Sequence, residues 1–179
     1  AMLPTSLKSD NCEFYLPGFW YHRNLRSPKE APSFHTSKSW NFRDDRLSTP
    51  LTSVYDAQLR KGISVLRINN TSTECSPQLT EGEVILPGNT SVGFLGFDNE
   101  SNEVKLCFGF PYIESPKRYI RKLTLAPSIT TFQELEAGEE RVLTWRIHQI
   151  EAENYGTFVS KMWQYSFDKM RPQPIAPRY

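Results

Sequence analysis

A chain of 179 residues is long enough to bury the core of one domain, and its 13% aromatic content makes that core unusually rich in rings. Lys and Arg number 21 against 20 Asp and Glu, a net charge of +1, which supplies no electrostatic pull toward nucleic acid or an anionic membrane. No stretch approaches the roughly 20 apolar residues of a membrane helix, so no membrane span is expected.

Ala1-Met2-Leu3-Pro4 lacks a basic region followed by an apolar one, so no signal peptide is visible. Ala1 ahead of Met2 reads as a scar, and a leader removed before it would fit an extracellular or periplasmic setting. Residues 1–38 carry Pro4, Pro17, Pro28 and Pro32. Proline removes ladder donors, so this region reads as largely irregular. Short edge strands are expected at Glu13–Leu16 and Phe19–His22, joined by the Pro17-Gly18 turn.

Residues 39–50 read as the passage from loop to sheet. Strand patterns then follow at Ser53–Gln58, Gly62–Ile68, Glu83–Leu86, Thr90–Phe97, Val104–Phe110, Lys117–Leu125 and Arg141–Ile150. Phe132–Leu135 is a short strand or a turn. Pro87-Gly88-Asn89 and Asp98–Asn102 are hairpin-like spacers. One helix is expected from Asn154, its N-cap, to about Met170, because Tyr155, Phe158, Val159, Met162, Trp163, Ser166, Phe167 and Met170 share one broad face.

The fold class this predicts is mainly β: an antiparallel β-sandwich in two layers with one C-terminal α-helix. Residues 1–170 form the domain, and 171–179 read as a Pro-rich tail or a truncated linker. Val65, Val92, Phe94, Leu106, Phe108, Leu123, Leu143 and Trp145 are expected in the core. Trp163 and Phe167 are expected to pack on the sheet, since such a face is too apolar to leave in water.

Cys12, Cys75 and Cys107 are an odd number, far apart and without a CxxC, so they read as buried free thiols rather than a zinc site or disulfide framework. His22, His35 and His148 show no ligand spacing. No metal or cofactor is expected, and no P-loop, G-x-S-x-G, G-x-G-x-x-G or H-E-x-x-H occurs. Gly93 and Gly96, inside an apolar strand, read as sites of close backbone approach. N-x-Ser/Thr triplets start at Asn69, Asn70, Asn89 and Asn99; in a secreted eukaryotic protein these would be glycan acceptors on surface loops, otherwise polar turns.

Three stretches carry candidate chemistry. In Trp40-Asn41-Phe42-Arg43-Asp44-Asp45-Arg46, adjacent carboxylates could hold sugar hydroxyls, arginines could clamp them, and Trp40 offers a flat face to a pyranose. The plainer reading is a solvated turn with internal salt bridges. In Phe110-Pro111-Tyr112-Ile113-Glu114-Ser115-Pro116, two prolines would hold Tyr112 and Glu114 at fixed spacing, as a binding loop or as a rigid connection. Phe19-Trp20-Tyr21-His22-Arg23-Asn24 could line a pocket, or supply core aromatics at a sheet edge.

Those three stretches in that order, with a Trp163-centred helix followed by Arg171-Pro172, resemble the N-terminal β-sandwich domain that precedes the (α/α)6 barrel in bacterial six-hairpin glycosidase-like proteins. In that family the barrel holds the catalytic carboxylates. The resemblance therefore implies a non-catalytic accessory domain of a carbohydrate-active protein, partnered by a glycan or by a following catalytic domain of the same chain. The alternative is a free-standing extracellular interaction or glycan-binding module. An independent glycosidase using Asp44, Asp45 or Glu114 stands third, since hydrolysis needs two carboxyl groups roughly 5–10 Å apart across the bond. Trp40, Arg43, Asp44, Asp45, Arg46, Tyr112 and Glu114 are expected to share one polar, aromatic-edged ligand surface.

Overall fold

The computed structural model describes residues 1–25, 38–68, 78–80, 83–85, 90–112, 120–121, 124–125, 133 and 135–172. Its strands, in chain order, are β1 (Met2–Lys8), β2 (Cys12–Leu16), β3 (Trp20–His22), β4 (Ser39–Arg43), β5 (Leu51–Asp56), β6 (Lys61–Arg67), β7 (Gln78–Thr80), β8 (Glu83–Ile85), β9 (Phe94–Asp98), β10 (Glu103–Gly109), β11 (Ile120–Arg121), β12 (Thr124–Leu125) and β13 (Trp145–Glu151), followed by helix α1 (Tyr155–Met170). One antiparallel sheet has the order β1-β10-β9-β4 and a second has the order β13-β6-β5-β2-β3. β7 pairs with β8, and β11 with β12.

The two large sheets meet face to face. Cys12, Phe14, Leu16, Val54 and Val65 of the five-stranded sheet interlock with Leu7, Phe42, Leu95, Phe97, Val104 and Leu106 of the other. Phe14 stacks on Phe97 with ring centroids 4.2 Å apart. Side chains alternate along a strand, so Tyr15, Leu51, Tyr55 and Leu66 point to the far face of the five-stranded sheet. There they are covered by Ala152, Phe158 and Met162. The antiparallel β-sandwich with a terminal helix is therefore present, and the helix packs on the sheet as expected, adding a third layer. The five-stranded sheet is the middle layer, which is why every residue of β5 is buried.

Several element expectations change for identifiable reasons. β1 forms despite Pro4 because it is an edge strand, where a missing N–H can face away from the ladder. Its pairing with β10 slips between Pro4 and Lys8, around Ser6 at φ 59°. Residues 39–43, read as loop, are β4 at the opposite edge of that sheet, with Trp40 and Phe42 on one side and their rings 6.1 Å apart. The strand expected over 117–125 is two short pieces paired with each other. The strand expected from Thr90 starts at Phe94, and the one expected from Arg141 starts at Trp145. Gln133 and Leu135 lie in no strand, and Phe132 and Glu134 lie outside the described residues.

Val65, Val92 and Leu106 are buried as expected. Phe94, Phe108, Leu143 and Trp145 are half-buried, and Leu123 lies outside the described residues. Helix α1 has the expected cap: Asn154 Oδ1 accepts from Thr157 N–H at 2.9 Å. Its packing differs, however. The buried line is Phe158, Met162 and Ser166, whereas Trp163 is 55% exposed and Phe167 59%. One line of i, i+4 side chains is enough to cover the sheet beneath it, so the neighbouring aromatics fall on the flank.

Candidate functional site

The charged stretch after β4 is built into the fold. Residues Asp44–Arg46 form a single 3-10 turn. Arg43, itself buried, donates through Nε and Nη2 to the two carboxylate oxygens of Asp45 at 2.9 and 2.5 Å. Asp44 is 2% exposed. Its Oδ2 accepts from Arg67 Nη1 and from Gly93 N–H, the latter at 3.0 Å. Arg67 is fully buried at the end of β6, so this ion pair ties the edge of one sheet to the middle layer. A Cβ at Gly93 would strike the Gly109 carbonyl oxygen and stand 3.1 Å from Asp44 Oδ2, so only glycine fits there. The expected close approach at Gly93 is real.

Tyr112 does come beside this cluster: its N–H donates to Val92 O, and the next residue's carbonyl, Gly93 O, accepts from Asp44 N–H. Yet Tyr112 is buried, and Trp40 is half-buried with its ring tilted against Trp20. Glu114 lies outside the described residues. Asp45 and Arg46 face solvent. Of the expected ligand surface, Arg43, Asp44 and Tyr112 are buried in an internal brace, Trp40 is half-buried, and Asp45 and Arg46 are exposed. The reading as a solvated turn with internal bridges is half right: the bridges are internal, and one of them is wholly desolvated. Nothing in the local sequence marks that burial, because Arg67 sits 23 residues from Asp44 in an ordinary-looking strand.

The other flagged string, Phe19–Asn24, forms the rim of a cavity. Trp20 is buried and donates its indole N–H to His22 O at 3.1 Å. His22, at φ 52°, donates its backbone N–H to Tyr155 Oη at 3.0 Å and lays its ring against that phenol, 3.9 Å between centroids. Its Nδ1 meets Glu13 Oε2 at 2.6 Å. Tyr155 Oη in turn donates to Phe14 O at 2.7 Å. Burial raises the Tyr155 pKa well above its ordinary value, outweighing the lowering by the His22 N–H, so the phenol stays a donor. Arg23 turns back to the carbonyls of Cys12, Ser9 and Asp10. Asn24 follows at φ 55°, so two non-glycine residues in three hold left-handed backbone, a form of strain that collects at functional sites. Glu13, Tyr21, His22, Arg23, Asn24 and Leu25 line a cavity of about 520 Å³.

One aromatic of the cavity lining faces solvent. Tyr21 is 47% exposed and its ring lies 5.5 Å from that of Tyr15. Burial raises the Tyr15 phenol to about 12, an effect that Trp163 slightly opposes. Trp163 and, one helical turn on, Phe167 stand exposed on the flank of α1. The chemistry available is flat apolar faces beside an acid, an imidazole and an amide. Sequence reasoning named Tyr21 and His22 within their string but assigned Trp163 and Phe167 to the core. Their exposure could have been read from the eight-residue width of the helix's apolar face, more than one sheet can cover.

The remaining reactive groups are internal. Cys12 and Cys107 are buried free thiols whose pKa values are raised to about 12 and about 11, by burial first and then by Asp56 and Asp98 respectively. Cys75 lies outside the described residues. Asn99 is fully buried and its amide nitrogen donates to Ser9 Oγ at 3.2 Å, so this triplet is not a surface acceptor. Asn69, Asn70 and Asn89 lie outside the described residues. Among the described residues no group of three or more His, Cys, Asp or Glu is placed to hold a metal, and no helix is long and apolar enough to cross a membrane. No family model, curated protein or solved structure matches the chain.

Proposed function

We propose that this chain is a non-catalytic β-sandwich accessory module of a carbohydrate-active protein, and that it meets glycan along Tyr21, Trp163 and Phe167 at the mouth of the β3 cavity. The observation that carries the reading is a cavity of about 520 Å³, a size suited to a small ligand, lined by the half-exposed ring of Tyr21 beside Glu13 and His22, together with the exposed rings of Trp163 and Phe167 on the helix flank. Pyranose rings present C–H faces that stack on such side chains, while Glu13 can accept from hydroxyls. The family resemblance points to the same substrate class. The non-catalytic part rests on Asp44 and Asp45, each held by an arginine and therefore not free to serve as acid and nucleophile across a bond.

Titrating neutral oligosaccharides while following tryptophan fluorescence tests this. Trp163→Ala and Tyr21→Ala should each weaken binding about tenfold, or 1.4 kcal/mol, with melting unchanged. Silence across the panel, or release of reducing sugar on incubation, would overturn the reading. A second reading has the same aromatic flank packing against a following catalytic domain; the side-by-side exposure of Trp163 and Phe167 favours it. The reading as a glycosylated ectodomain loses Asn99 from its support.

A further inference from the structure

The fully buried guanidinium of Arg67 has five N–H bonds to place. Nη1 goes to Asp44, while neither Nε nor Nη2 meets an acceptor among the described residues. These two nitrogens form the edge with which Arg43 grips both oxygens of Asp45, so Arg67 turns a ready-made two-pronged donor into the interior. Trp145 lies directly across from Arg67 in the β13–β6 ladder, its ring 5.9 Å from the guanidinium carbon. Cross-strand partners share a face of the sheet. The buried Nε1 of Trp145 also lacks an acceptor among the described residues. Three donor nitrogens on two facing side chains thus lie in the core with no oxygen among the described residues to receive them, and buried donors in folded proteins are almost always received.

Charge decides what fits. Asp44 and Arg67 cancel, so a further anion would leave a net negative charge in a desolvated interior, whereas a neutral acceptor would not. Water accepts two hydrogen bonds and has two to give. We propose that Arg67 and Trp145 line an internal water-binding site, in which long-lived water molecules, each accepting no more than two hydrogen bonds, receive Arg67 Nε, Arg67 Nη2 and Trp145 Nε1 and complete the joint between the Asp44 turn, β6 and β13.

Proton NMR on the 179-residue protein tests this without any substitution. The indole proton of Trp145 and the Hε of Arg67 should show cross-peaks at the water frequency with opposite signs in laboratory-frame and rotating-frame experiments, the mark of a bound rather than passing molecule. The exposed Trp163 indole serves as the contrast and should not. Adding chloride or formate should leave both buried resonances in place. Absence of the water cross-peaks from both protons, or a saturable shift with either anion, would overturn the proposal.

Discussion

Asp44 and Arg67 illustrate how far a residue's surroundings change what its charge is worth. Both side chains are fully buried, whereas the Asp45 side chain keeps 29% of its surface in water. Removing one partner of a desolvated pair leaves the other uncompensated, which costs about 3–5 kcal/mol. Asp44→Asn should therefore lower unfolding stability by that much in a urea titration, while Asp44→Leu with Arg67→Met should recover part of the loss. A change below about 1 kcal/mol in Asp44→Asn would place the pair in solvent. The thiols set a second expectation. Cys12 and Cys107 ionise far above the ordinary value of 9.0 when folded, so above that pH the unfolded chain sheds thiol protons that the folded chain keeps. The native state then binds more protons, and stability falls as pH rises from about 9 toward 11–12. Tyr15 and Tyr155, both raised by burial, steepen the fall above 10. Urea titrations at pH 7 to 11 would check this, with Cys12→Ala expected to flatten the slope; a flat wild-type profile would contradict it.

At the scale of the element, α1 was legible because its signals are local: a capping asparagine, a turn-by-turn apolar repeat and a proline after its end. What the repeat could not specify was which part of a wide stripe faces the sheet. Gly62 decides it. A methyl group there would stand 2.8 Å from Phe158 Cδ2 and closer still to Cε2, so the ring sits directly on the strand backbone. Phe158→Ala should then cost about 3–5 kcal/mol and Gly62→Ala about 1–3 kcal/mol by overpacking. Phe167→Ala, on the exposed flank, should stay within about 0.5 kcal/mol. Thermal melts of the three variants separate these outcomes, and a large loss in Phe167→Ala would return that ring to the core. β1 and β4 were missed for the converse reason: Pro4 and the run of charges after Phe42 are local signals against a strand, and edge positions tolerate both.

For the whole molecule, the strand-rich sequence indicated sheets facing each other and the apolar helix indicated a covering layer, but which sheet the helix covers depended on distances in the chain that no pattern displays. Tyr15 and Tyr55 are polar-tipped aromatics that a two-layer sandwich would leave outward. Here Tyr55 Oη donates to Ala152 O at 2.9 Å beneath the helix. Deleting residues 152–172 should expose Tyr15, Leu51, Tyr55 and Leu66 together, lowering the melting temperature and raising the fluorescence of an apolar dye. Unchanged melting would make α1 an appendage. The candidate site follows the same logic. The Phe19–Asn24 string was recognisable as a possible lining, but its continuation onto Trp163 requires the helix to be folded back over β2. The Arg43–Arg46 cluster looked like surface chemistry because its decisive partner belongs to another sheet.

The irregularity of β1 has a consequence for how molecules of this protein meet one another. Pro4 has no N–H to offer, Ser6 sends its own to Glu103 Oε1 rather than outward, and Lys8 puts a positive charge at the strand's end. A strand from a second molecule approaching this border would find its hydrogen-bonding template interrupted every other residue and then repelled or hydrated at the margin. Concentrated solutions should therefore be protected along this border from the sheet-to-sheet polymerisation that a smooth seven-residue strand would invite.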